Sequence, residues 1–281
     1  MRPRQQRRSR IFEVGVLMLI SELVNIGYDA IPPVTLLSII GQVLLYVGVI
    51  DVPWSKWDVC ISGHKIWHKK DFRPLIFSTF EHADDMHLYY NMVSYLVKGR
   101  SLEYQYGSPN FALILAIISL MTSGLYVVLA VVGSNIFGNN AIMSSCAIGF
   151  SGVIFALKFI TTHEDSEGYR YIQGIRVPTK YATWVELVAI HILVPNASFM
   201  GHFAGVLAGI LYTKTFVGTI IDTLVYQITG QQVYHRNQPQ YRSNSRRSHQ
   251  FEYNSNSYSS RFSFLNSFFG RSYGEYRSYY D

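Results

Sequence analysis

Ser151 stands between glycines in the run Gly149-Phe150-Ser151-Gly152, and His202 follows Gly201 in a later apolar stretch. A serine hydroxyl is a weak nucleophile until a base within hydrogen-bond reach takes its proton. A neutral imidazole can take that proton and return it to a leaving amine. Elsewhere His87 and Asn91 are spaced i, i+4, so they share one helical face. With the Ser151 backbone N–H they offer three donors for the oxyanion of a tetrahedral intermediate. The chemistry these residues suit is acyl transfer at a carbonyl. No carboxylate falls level with His202, so a Ser-His dyad is expected, with Phe155, one turn beyond Ser151, stacking on the imidazole. Gly149 and Gly152 remove Cβ bulk where a substrate backbone must approach. Gly201, Gly205 and Gly209 form a small-xxx-small stripe that lets two helices lie close.

Those residues need elements to hold them. The 281-residue chain is 49% hydrophobic and 15% charged, with formal charge +6. Its apolar residues gather in blocks of roughly 15 to 22, near the ~20 that carry a helix across a hydrocarbon core. The fold class expected is therefore an all-α membrane protein, because only helices and closed barrels satisfy their backbone in lipid. Six transmembrane helices are read at about 34–50, 84–98, 111–132, 148–160, 178–194 and 199–217. The second is the least apolar: His87, Asn91 and Ser94 line one polar face, which in a bilayer must point into protein or water.

Three segments follow from this pattern. Residues 1–31 hold Arg2, Arg4, Arg7, Arg8 and Arg10 and then an amphipathic stretch whose Glu22, Asn25 and Asp29 share a face. That suits a helix lying in the membrane interface, the alternative being a cleaved address peptide. Residues 32–218 form the six-helix bundle. Residues 219–281 are read as a cytosolic disordered tail, because after about Gly230 the chain turns to Gln, Asn, Ser, Arg and Tyr with few aliphatics. Lys and Arg in the short loops place both termini in the cytosol. Lys56, Lys65, Lys69, Lys70 and Arg73 in the long first loop are the exception. In this topology the helices bearing Asn91, Ser151 and His202 all enter from the non-cytosolic face. At ~1.5 Å rise per residue, Ser151, His202, His87 and Asn91 then lie at similar depth.

The same features exclude other classes. No basic-aromatic nucleic-acid module is present, so no nucleic-acid partner is expected. His64 and His68 have metal-compatible i, i+4 spacing but no further ligand pattern, so neither a metal nor another cofactor is expected. Two cysteines, Cys60 and Cys146, allow one bridge at most, and only if both face an oxidising lumen. A pore would want charged residues along its length or inverted repeats, and neither is found.

Taken together, His87-x-x-x-Asn91, Gly149-x-Ser151-Gly152 and Gly201-His202 with Gly205 and Gly209 resemble the rhomboid family of intramembrane serine proteases. The approach Phe72-Arg73-Pro74-Leu75 through Phe80-Glu81-His82 is similar to the family's lead-in from the first loop. The resemblance implies a serine endopeptidase cutting transmembrane or juxtamembrane bonds, with transmembrane proteins as substrates and the lipid bilayer as its solvent. The branch suggested by Ser145-Cys146-Ala147 and by 184–191 implies an endoplasmic-reticulum membrane protein tied to ER-associated degradation. The Arg-rich start keeps a mitochondrial membrane as the alternative. That branch also implies ubiquitin and a segregase ATPase as partners, but the tail carries no acidic Ala-x-x-Ser helix and no clear ATPase-binding segment. Phe155 stands where many members carry Tyr. The competing function is a proteolytically inactive adaptor that delivers membrane clients for degradation. Inactive relatives lose the serine or histidine, whereas Ser151 and His202 are both present.

Overall fold

The computed structural model describes residues 13–164, 168–172 and 174–235. They form two units, one of residues 13–160 with Ser198–Val233, the other of Thr161–Ala197 with Tyr234 and His235. The first unit opens with α1, Val14–Ile26, and α2, Pro33–Val47. Pro33 sits in the first turn of α2, where its missing N–H costs nothing. The other orphan donors of that turn are met by α5, Asp85–Tyr106. The Glu103 carboxylate accepts from Val34 N at 2.8 Å, Thr35 N at 2.7 Å and Thr35 Oγ1 at 2.7 Å. Replacing Glu103 by alanine leaves two buried donors on Thr35 and the half-buried Val34 N–H without this acceptor, at roughly 1–3 kcal/mol for each buried one. A clear fall in thermal unfolding temperature in detergent is expected, larger than for an exposed Glu→Ala control.

α1 packs along α5. Gly15 N donates to the Asp85 carboxylate at 2.8 Å, and the Tyr104 hydroxyl donates to Ala30 O at 3.1 Å. α1 and the turn after it therefore run the length of α5, with Val16, Leu19 and Ile26 buried. This packing puts Val14 at the Asp85 end of α5. The physical reason is the Gly15 backbone, which lies against the Asp85 carbonyl with no room for a Cβ.

Between α2 and α5 the first loop carries α3, Gly63–Trp67, and α4, Pro74–Phe77. Both pack on α6, Ser108–Phe137. α6 leads to the short α7, Asn140–Ser144, and then to α8, Ser151–Glu164. In the second unit α8 ends and a hairpin follows, β1 Tyr169–Ile172 against β2 Ile175–Pro178. The next helix is α9, Thr179–Leu193, and Ile172, Val177 and Ala182 form its small core. Back in the first unit, α10, Phe199–Lys214, packs on α6. Thr215 caps the start of α11, Phe216–Thr229, which departs at 77°. The Tyr212 hydroxyl donates to Asp222 at 2.8 Å and holds that bend. α11 occupies residues assigned above to the tail. The remainder of the tail, from 236, lies outside the described residues.

A helix lies at each of the six expected positions. Among the described residues, α6 alone is long and apolar enough by itself to cross a membrane, and α10 with α11 passes only as a bent pair. The others fall short for identifiable reasons. α5 carries Asp85, Lys98, Arg100 and Glu103, while α8 and α9 have 14 and 15 residues.

Candidate active site

The loop before α8 is shaped by its glycine. Gly149 has φ +115°, a conformation that side chains rarely adopt. A Cβ there would also lie 2.7 Å from His87 Cε1 and 2.8 Å from His87 Nε2. Phe150 anchors the loop by edge-on packing against Tyr95, ring centroids 5.0 Å apart. Ser151 is then the first residue of α8, where helix geometry leaves the leading N–H groups without intrahelical partners.

His202 comes from the first turn of α10. Ser198 caps that turn, its hydroxyl accepting from Gly201 N at 3.1 Å. His202 Nε2 lies 2.9 Å from Ser151 Oγ. The imidazole is 5% exposed and stacks on Phe155, centroids 4.7 Å apart at 29°. The small stripe sets this spacing. At Gly205 a Cβ would overlap the Gly152 carbonyl oxygen, and at Gly209 one would come within 2.9 Å of Ala156 O. At Gly152 one would come within 2.9 Å of Gly201 O. The two backbones thus touch directly, and Ser151 and His202 meet because of it.

α5 supplies the other face. Asp84 caps it, accepting from His87 N at 2.8 Å. His87 Nδ1 accepts from Ala83 N at 3.3 Å, which assigns the ring proton to Nε2, the nitrogen turned toward Gly149. One turn on, Asn91 is 6% exposed and its Nδ2 is a buried donor with no partner. That nitrogen lies 3.4 Å from where a Gly149 Cβ would stand. A buried amide donor left open beside a nucleophile is the arrangement an oxyanion requires. Behind His87 sits His82, edge-on at 5.2 Å. Burial, with His87 adding to it, pushes the His82 imidazole well below the usual histidine range, so it stays neutral.

Ser151, His202 and Phe155 are within reach of one another, His87 and Asn91 flank Gly149, and Gly152, Gly205 and Gly209 lie along the contact of α8 with α10. The spacing arguments did not find the backbone contributors from the first loop. Ser78 O accepts from Gly149 N at 2.9 Å, and Ala83 N orients His87. Backbone groups have no sequence signature, so no motif could have pointed to them. Residues 66–219 match the rhomboid domain.

The chain belongs to the rhomboid family. It is 42% identical to mouse rhomboid-related protein 4 over 219 residues, 78% of this chain and 68% of that protein. To the human protein of the same name it is 40% identical over 209 residues, 74% and 65%. Rhomboid-like protein 14, mitochondrial, of Arabidopsis thaliana is 40% identical over 188 residues, 65% and 56%. The chain thus spans about two thirds of the mouse and human relatives. The rhomboid match contains His87, Asn91, Ser151 and His202, and it begins inside the first loop, after Cys60 and Ile61.

Proposed function

We propose that this rhomboid is an intramembrane serine endopeptidase that cuts transmembrane or juxtamembrane bonds of membrane proteins. The observation that carries this reading is the 2.9 Å approach of His202 Nε2 to Ser151 Oγ. The reading has α2, α5, α6, α8, α9 and α10 crossing the bilayer. The active site opens to the lumen of the endoplasmic reticulum and the C-terminal segment is cytosolic. The work of the enzyme is then protein quality control and ER-associated degradation. The plant relative's mitochondrial name supplies the competing address, which fractionation of tagged protein decides.

His202 takes the Ser151 proton as Oγ attacks the scissile carbonyl carbon. The oxyanion is held by His87 Nε2–H, the Asn91 amide and the Ser151 N–H. His202 returns the proton to the leaving amine, and the acyl group remains esterified to Ser151. A water, deprotonated by the same imidazole, attacks the ester; the N-terminal fragment leaves with its new carboxylic acid and Oγ regains its proton from His202. Phe155 keeps the ring in plane through both halves.

The test is labelling of the full chain in membranes with a fluorophosphonate, followed by peptide mapping and a transmembrane-substrate cleavage assay. The label is expected on Ser151 and should stop fragment production. Label at another residue, or undiminished cleavage by the labelled protein, would rule the reading out. Asn91→Ala should reduce kcat by about 10²-fold with little change in KM, because its amide meets charge only in the transition state. Steady-state kinetics on the same substrate checks this.

A further inference from the structure

Three ties fasten the approach to Ser151 onto the first loop. Cys60 and Cys146 are joined as a disulfide, Cα atoms 5.7 Å apart. Beside it Ile61 and Ala147 exchange both backbone bonds, 2.8 and 2.9 Å. Two residues later comes the Gly149 N to Ser78 O bond. The loop itself is fixed. A Cβ on Gly63 would lie 2.7 Å from Met143 Sδ and 2.8 Å from Ala130 Cβ, so α3 rests directly on its neighbours. Lys65 Nζ donates to the carbonyls of Trp57 at 2.6 Å, Asp58 at 3.0 Å and Cys60 at 3.2 Å, knotting the turn that presents Cys60.

We propose that the Cys60–Cys146 bond is a positioning element of the active site, holding the 146–150 segment so that Ser151 faces Asn91 and His202. This rests on the protease reading above. Of the three ties it alone is covalent. The other two are hydrogen bonds, each worth only about 0.5–1.5 kcal/mol net. Catalytic groups tolerate only about 0.5 Å of displacement, and about 1 Å costs roughly 10²-fold in rate. Cys146 is exposed, so a reductant can reach the bond. A dithiol supplies two electrons and two protons, leaves as a cyclic disulfide, and yields free thiols on Cys60 and Cys146. The bond also ties activity to compartment, because it persists only on an oxidising side of the membrane. Cys60 precedes the rhomboid match, so the tie extends the site beyond the matched residues.

The experiment uses the full chain in nanodiscs: wild type, Cys60→Ser, Cys146→Ser and the double variant, each with and without a dithiol. Thiol state is read by maleimide–polyethylene-glycol gel shift, active sites are counted by fluorophosphonate, and kcat and KM are measured per counted site. Wild type should shift only after reduction. Reduction or any cysteine variant should lower kcat by about 10- to 100-fold at constant KM. The double variant should match the singles, and the dithiol should not affect the variants further. A purely structural bond would move the melting temperature and leave kcat per site intact, which overturns the proposal. Free thiols in unreduced wild type overturn it independently of any protease activity. A bridged wild type that neither labels nor cleaves overturns both readings, since the bond then positions no active site.

Discussion

Alanine at Ser151 or at His202 is expected to lower kcat by about 10⁶-fold, and alanine at both by no more. The reason is that the two side chains act as one unit. Without His202 the Ser151 hydroxyl keeps its proton and cannot attack; without Ser151 the imidazole has nothing to activate. The loss belongs to the pair, so the second substitution removes nothing further. KM should stay within a few-fold of wild type, because neither group contributes much to holding the uncleaved segment. What remains in the double variant is the help of the Asn91 and His87 side chains and of the backbone N–H at position 151, which the substitutions leave in place. A double-mutant cycle on a transmembrane substrate in nanodiscs measures this. Losses that multiply in the double variant would mean independent roles, and the dyad would have to be abandoned.

The active-site cluster was legible because it follows from helix register. Ser151, His202, Asn91 and His87 each lie within a turn or two of a helix start, so helices packed with those starts together bring them level. The small stripe was legible too, because glycines at 201, 205 and 209 repeat at the spacing of a contact face. α1 was not. Its polar residues Glu22, Asn25 and Asp29 mark a face, but what decides its place is the fit of Gly15 onto the Asp85 backbone, a pairing of residues far apart in the chain. α11 was missed for a related reason. Its boundary is the bend at Thr215, held by Tyr212 and Asp222, and in the sequence only the short polar run Thr213-Lys214-Thr215 marks it. The ties of the first loop to 146–149 are mostly backbone hydrogen bonds between distant segments. Two cysteines could be counted from the sequence, but which loop face they shared could not.

Gly205→Val is expected to leave no measurable protease activity and a chain that fails to fold stably, with Gly205→Ala a weaker version of the same defect. The position is the tightest helix contact at the site. A Cβ built there overlaps the Gly152 carbonyl oxygen and stands 2.7 Å from its carbon. Both are backbone atoms of α8, so no side-chain rotation relieves the clash, and α10 must move away from α8 as a body. Overpacking of this kind costs typically 1–3 kcal/mol for small additions and more when backbone must shift. The same movement pulls His202 from Ser151, and about 1 Å of it should cost the alanine variant roughly 10²-fold in kcat. Gly209→Ala should be milder, since part of its conflict is with the Phe159 side chain at 2.7 Å and the site lies one turn away. Gly124 gives the control, because nothing lies within 4 Å of a Cβ there. Alanine at that mid-helix position should be neutral or stabilising by up to about 1 kcal/mol. Thermal unfolding and kcat per fluorophosphonate-counted site, measured across the four variants, separate the two components. If Gly205→Ala melts and turns over like Gly124→Ala, the direct contact between α8 and α10 does not set the distance between nucleophile and base.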